Sequence, residues 1–257
     1  MQNNTFLTLF VGHNLVKLQE VDSTNTYLKN LLSNSKPLIE GTAIMAERQF
    51  AGRGQQDNVW ESESGKNLIV SIYLKPTFVA ANDQFDLNKA ISLGVHDCLK
   101  EILGEHCSIK WPNDIYYHDK KIGGILIENV IKGHQLKDSV IGIGINVNQI
   151  KFNEHLVQAS SIAQILQQDY SIEKLLQQIC KHIESRYLQL KAGKKEKLTA
   201  DYQKILLRIN EYHEYVIENK IVSGKIEGVT PSGKLALEIG NEIKTFNLKE
   251  IKFIFKP

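Results

Sequence analysis

The sequence predicts an α+β chain in two unequal parts: a mixed β-sheet with packed helices, then a small all-β tail. Three observations carry this. Up to about Asn210, segments with apolar residues at helical spacing are interleaved with segments at strand spacing. After Asn210, five short strand-like runs follow one another with tight turns between them. The length, 257 residues, suits one large domain or two unequal ones, here 1–209 and 210–257.

The elements follow in order. Asp22 or Ser23 can cap a helix running to about Leu32, with Tyr27, Leu28, Leu31 and Leu32 on one face. Gly41–Glu47 and Leu68–Leu74 read as strands. Asn82 or Asp83 opens a helix to Leu103, whose buried stripe is Leu87, Ala90, Ile91, Val95, Leu99 and Ile102. Strand signals then crowd at Ser108–Trp111, Ile115–Tyr117, Ile122–Val130 and Ser139–Asn148. Helices are expected at Ser160–Gln167, Ile172–Leu190 and Lys197–Asn210. The tail offers Tyr215–Glu218, Ile221–Val229, Lys234–Ile239, Ile243–Leu248 and Ile251–Phe255, turning at Asn219-Lys220 and Ser232-Gly233.

Composition narrows the function classes. Hydrophobic residues make up 42% and charged residues 23%, enough for a sizeable core. With 31 basic and 29 acidic residues the net charge is +2, which leaves no general footprint for nucleic acid or membrane. No apolar run reaches the length of a membrane span, and the N-terminus lacks a signal-peptide layout. Cys98, Cys107 and Cys180 are few and widely spaced, which speaks against a disulfide framework and for a reducing cytoplasm. Each reads as a small core residue rather than a nucleophile.

Three segments carry the chemistry. Gly52-Arg53-Gly54 heads a long polar loop, Phe50–Asn67; loops of that length inside a domain are functional or disordered. Its glycines allow unusual angles or close approach, and Arg53 offers a fork of donors to a phosphate or carboxylate. The strand Val140–Asn148 puts Ile141, Ile143, Ile145 and Val147 on one face and Gly142, Gly144, Asn146 and Asn148 on the other. Such a bare face marks either close packing or the approach of a flat ligand, with Asn146 placed to read a polar edge. In Lys110-Trp111-Pro112-Asn113-Asp114, the proline ends a strand and gathers a lysine, an indole and an aspartate at the break. Asn113-Asp114 reads as a simple turn or as part of a phosphate or metal–phosphate site. Lys121 follows seven residues after Asp114 and shares a face with Gly123, so its ammonium can lean over bare backbone; taken singly it also reads as an ordinary hairpin lysine.

Gly228–Lys234 matches the first seven positions of a P-loop, but Leu235 stands where Ser or Thr would hold the metal. The segment joins two strands and reads as a β-turn. No zinc-protease motif, Rossmann fingerprint or nucleophile elbow occurs.

Taken together and in order, these segments resemble the biotin protein ligases. The pieces are Asp22-Ser23-Thr24-Asn25, Glu47-Arg48-Gln49, Ala51-Gly52-Arg53-Gly54 with Trp60, Lys110 to Asp114, Lys121 to Glu128, and Gly142 to Asn146. The resemblance implies a catalytic α+β domain followed by an SH3-like β-barrel, and a monofunctional enzyme that forms biotinyl-5′-AMP from biotin and ATP. It then transfers biotin to a lysine of a biotin carboxyl carrier domain. Mg²⁺ would be carried by ATP, near Asp114. It implies biotin-binding roles for Ser23, Thr24, Asn25, Gln49, Arg53, Gly54, Gln55 and Lys121. Nucleotide-binding roles fall to Arg53, Trp60, Lys110, Asn113, Lys121 and Asn146, and catalytic roles to Lys121, Arg53, Lys110 and Asp114.

Two departures stand out. The family commonly continues Gly-Arg-Gly with further arginines, where this chain has Gln55, Gln56 and Asp57. About twenty residues precede Ser23, too few for a winged helix-turn-helix, so no DNA partner is expected. The alternatives are a lipoate or octanoate ligase of the same superfamily, or a non-catalytic RNA-binding or regulatory protein using the β-rich tail.

Overall fold

The computed structural model describes residues 7–33, 37–55 and 58–255. Seven strands form one mixed sheet in the order β1-β2-β3-β7-β6-β5-β4. They are β1 (Leu15–Val21), β2 (Ala43–Gln49), β3 (Leu68–Leu74), β4 (Cys107–Lys110), β5 (Asp114–Tyr117), β6 (Lys120–Lys132) and β7 (Gln135–Ile145). β1 and β2 run parallel, joined through helix α1 (Thr24–Ser33); the other pairings are antiparallel. The sequence reading names no strand at β1. It lies at the sheet edge with only Val21 buried, so its apolar alternation is faint.

β3 shows how the sheet is sided. Leu68, Val70, Ile72 and Leu74 join the main core, with residues of α2 (Gln84–Leu103) and α4 (Ile172–Lys191). Each fully buried aliphatic side chain there contributes about 1.5–3 kcal/mol. The alternate residues face the other way. Tyr73 packs there with Leu28 of α1, Ile44 and Val140 in a second, smaller cluster. A short helix, α3 (Ile162–Leu166), and α5 (Lys195–Lys204) complete the helical part. α5 stops at Lys204, well short of the expected Asn210, and the chain beyond it pairs with strands instead: Leu206 bridges Ile109 of β4, and Ile209 bridges Ile226.

The tail is a five-stranded antiparallel sheet in the order β11-β10-β9-β8-β12. Its strands are β8 (Tyr212–Ile217), β9 (Lys220–Val229), β10 (Leu235–Ile239), β11 (Glu242–Phe246) and β12 (Ile251–Phe253). The first hairpin turns on Glu218 and Asn219, both at positive φ, one residue earlier than the sequence suggests. The P-loop look-alike is a turn between β9 and β10, closed by Thr230 N–H to the Lys234 carbonyl. Its tip docks on the first sheet, where the Trp111 indole N–H donates to the Gly233 carbonyl at 2.9 Å.

All three cysteines are buried and free. Burial pushes the Cys180 and Cys107 thiols up to about 12, consistent with core residues rather than nucleophiles. Among the described residues no helix is long and apolar enough to cross a membrane.

Candidate active site

A cleft opens on the α1 side of the sheet. It is lined by Ser23, Thr24, Asn25, Gln49, Arg53, Gly54, Gln55, Trp60, Lys110, Asp114 and Lys121, over the backbone of Gly124, Gly142 and Gly144. Eleven of the sequence-nominated residues therefore meet in one place.

One end is amide-rich and pre-arranged. Ser23, Thr24 and Asn25 sit at the start of α1 and are all buried. Gln49, the last residue of β2, accepts from the Thr24 N–H at 2.8 Å and the Thr24 hydroxyl at 3.1 Å through its Oε1. The Ser71 hydroxyl is 2.7 Å from Thr24 Oγ1 and 2.5 Å from Asn25 Oδ1. Asn25 Nδ2 in turn donates to Glu128 at 2.8 Å. Ser71 was missed by the sequence reading, though the signal was there: it is the one small polar side chain in the apolar strand Leu68–Leu74.

The floor is bare backbone for a physical reason. A Cβ on Gly142 would lie 2.5 Å from Asn25 Oδ1, and one on Gly144 would lie 2.4 Å from the Trp60 indole. Gly144 pairs with Gly124 on β6 and Ile69 on β3. The opposite face of β7 is apolar as expected, with Ile141, Ile143 and Ile145 buried.

The cationic end corrects one detail of the sequence reading. Lys121 does not share a face with Gly123. The β5–β6 pairing passes from Ile115↔Gly123 to Tyr116↔Lys121, and that bulge shifts the alternation by one. Gly123 therefore faces Ile145, while the Lys121 stem lies beside Gly124. The Lys121 ammonium pairs with Asp114 at 2.8 Å. Lys110, the last residue of β4, stands across the hairpin from Asp114. Burial pushes the Lys110 ammonium below the usual lysine value; Asp114 opposes this, while Lys121 and Arg208 add to it.

The loop after β2 closes the cleft as an irregular hairpin. Trp60 N–H donates to the Gly52 carbonyl, Gly54 N–H donates to Asn58, and Arg53 bridges Val59. Gly52 and Gly54 are not at positive φ; a Cβ on Gly52 would lie 2.4 Å from the Trp60 carbonyl, so close approach is what requires glycine. Arg53 is not a free cation. Its Nη2 lies 2.9 and 3.2 Å from the Glu128 carboxylate, which also pairs with Lys29 at 2.7 Å. Burial would raise the Glu128 carboxyl, but the Lys29 and Asn25 hydrogen bonds and the Arg53 charge hold it below the usual glutamate range. Gln56 and Asp57 lie outside the described residues.

Two nominated residues are not on the cleft lining. Asn113 is buried and donates to the Ile125 carbonyl at 2.6 Å. Asn146 lies just beyond the end of β7 and donates to the Ser160 carbonyl at 2.9 Å. Ser160 N–H in turn donates to the Lys121 carbonyl, so Asn146 braces the segment that flanks Lys121.

The model of the biotin/lipoate A/B protein ligase family matches residues 17–146. A bifunctional ligase/repressor BirA of Bacillus subtilis is 30% identical over 249 residues, covering 95% of this chain and 75% of the relative. A biotin–[acetyl-CoA-carboxylase] ligase of Paracoccus denitrificans is 32% identical over 133 residues, covering 51% and 53%. Among solved structures, the biotin protein ligase from Aquifex aeolicus in complex with biotin and ATP superposes with a TM-score of 0.79 at 29% identity, covering 95% and 99%.

Proposed function

The chain belongs to the biotin/lipoate A/B protein ligase family, and on that premise we propose that it is an ATP-dependent biotin protein ligase. The observation that carries this reading is one cleft with two unlike ends: the buried polar groups of Ser23–Asn25, braced by Gln49 and Ser71, at one, and the ammonium groups of Lys110 and Lys121 at the other. Between them lies a strip of backbone flat enough for rings. The polar end suits the ureido group of biotin, which offers two N–H donors and a carbonyl. The cationic end suits a carboxylate meeting a triphosphate.

A biotin carboxylate oxygen attacks the α-phosphorus of ATP. The bond from that phosphorus to the bridging oxygen breaks, and pyrophosphate leaves with the electron pair. Two anions must approach, so positive charge has to be fixed before they arrive. Lys121 is the best placed for this, since Asp114 already orients its ammonium and leaves donors over. Mg²⁺ fits the donor set: it needs only one or two carboxylates beside substrate phosphates, and Asp114 supplies one. Bound there it would neutralise phosphate charge. The acceptor amine of a carrier-domain lysine then attacks the acyl carbon of the mixed anhydride, forming the amide and releasing AMP. The Gly52–Trp60 hairpin would screen the anhydride from water.

The test is incubation with biotin, ATP, Mg²⁺ and a carrier domain, read by intact mass. One added biotin per carrier is expected. Pyrophosphate exchange driven by lipoate or octanoate but not by biotin would overturn the substrate assignment.

A further inference from the structure

Lys110 is held differently from the other cations of the cleft. Arg53 has Glu128 and Lys121 has Asp114. Among the described residues Lys110 has no carboxylate within ion-pair distance and no hydrogen-bond acceptor. Its ammonium instead lies 4.8 Å from the centre of the Phe253 ring, on the last strand of the tail sheet.

That ring is fixed from several sides. Tyr215 meets it edge-on at 5.2 Å and 83°. Arg208 donates to the Ile254 carbonyl at 2.8 Å, and its guanidinium lies 4.4 Å from the centre of the Phe255 ring. Phe255 stacks on Tyr116 of β5 at 5.5 Å. The tail strand is thus riveted beside the cleft by groups that do not line it.

A carboxylate in the same place would also hold the ammonium, but it would cancel the charge. The face of an aromatic ring attracts a cation and leaves its charge whole. We propose that Phe253 is a positioning residue that holds the Lys110 ammonium, against repulsion from Lys121 and Arg208, where a nucleotide phosphate takes it up. This rests on the nucleotide reading of the cleft given above.

The experiment measures KM for ATP and kcat in biotin-dependent pyrophosphate exchange. Phe253→Leu and Phe253→Met remove the ring face at similar bulk, and Phe253→Tyr keeps it; each is made with Lys110 intact and with Lys110→Met. Thermal midpoints identify which variants are folded, and two ring-less variants guard against one failing. A folded ring-less variant should raise KM for ATP about tenfold with kcat little changed, and Phe253→Tyr should restore it. In the Lys110→Met background, losing the ring should cost nothing more. An equal loss in both backgrounds would make Phe253 mere packing and overturn the proposal, as would a ring-less variant with normal KM. A wild type with no exchange for any acid would refute the nucleotide reading, and the proposal with it. A working wild type with an additive cycle refutes the proposal alone.

Discussion

The floor of the cleft and the loop above it are built on opposite principles. The floor, β3 with β6 and β7, is the middle of a sheet whose other face is the main core, and its polar groups are bonded to one another. The loop is held over the cleft chiefly by its own backbone turns, by the Trp60 ring resting on glycine, and by one half-exposed ion pair, Arg53 to Glu128. On the proposed function, the difference implies that the site for the acid is prepared in advance, while closure over the nucleotide is a rearrangement. On that reading Arg53 would exchange Glu128 for a ligand; the Trp60 indole N–H has no acceptor among the described residues in its present position.

If the contrast is right, substitutions in the floor should cost more than those in the loop. Lys121→Ala should leave the fold intact and cut adenylate formation by about 3–4 kcal/mol, hundreds-fold in rate. Near-normal single-turnover formation of the adenylate would remove Lys121 from the chemistry. Gly142→Val and Gly144→Val separate the two regions directly. At Gly142 the new Cβ meets the fixed Asn25 amide, so stability and biotin affinity should fall together, by about 1–3 kcal/mol. At Gly144 its three nearest neighbours all belong to the movable indole, so stability should change less and ligand affinity more. Calorimetry beside thermal melts gives both quantities, and equal stability losses would erase the distinction.

Arg53→Ala should weaken retention of the adenylate about tenfold and lessen ligand-dependent protection of the loop from proteolysis. Equal protection with and without ligand, in both proteins, would mean no rearrangement. The smallest effect belongs to Glu128. Its carboxyl is held low in the folded protein, so its contribution is present above about pH 4.5 and is lost as pH falls through the lowered value. Glu128→Gln should lower Tm by about 1–3 °C at pH 6, with the gap narrowing as pH falls below 4.5. A gap that widens on acidification would contradict this assignment.

Much of this was legible in the sequence because it was local. A near-continuous apolar run marked β3, alternation marked β7, and the helical stripe of 84–103 marked α2. The bare Gly142–Gly144 face was readable for the same reason, since alternation alone decides which residues share it. What escaped depended on partners far along the chain. The bulge that turns Lys121 toward Gly124 arises from pairing with β5. Ser71 gains meaning only from residues 46 and 47 positions away. Arg53 looked available because its carboxylate lies 75 positions later, in a segment quoted for its glycines and lysine. The strand was expected to run to Asn148; it ends at Ile145, and the Asn146 amide just beyond it donates to the Ser160 carbonyl, a partner that alternation does not reveal.

The pairing of Gly124 with Gly144 has one more consequence. Side chains facing each other across neighbouring strands normally stitch a sheet together, and here both strands offer only hydrogen on that side. The Trp60 ring lies there in their stead, a borrowed stitch from a loop rather than from the ladder. Any flat ligand that takes its place inherits that duty. It becomes a late-arriving piece of the protein's interior, and the affinity measured for it is the difference between two tenants of the same ground.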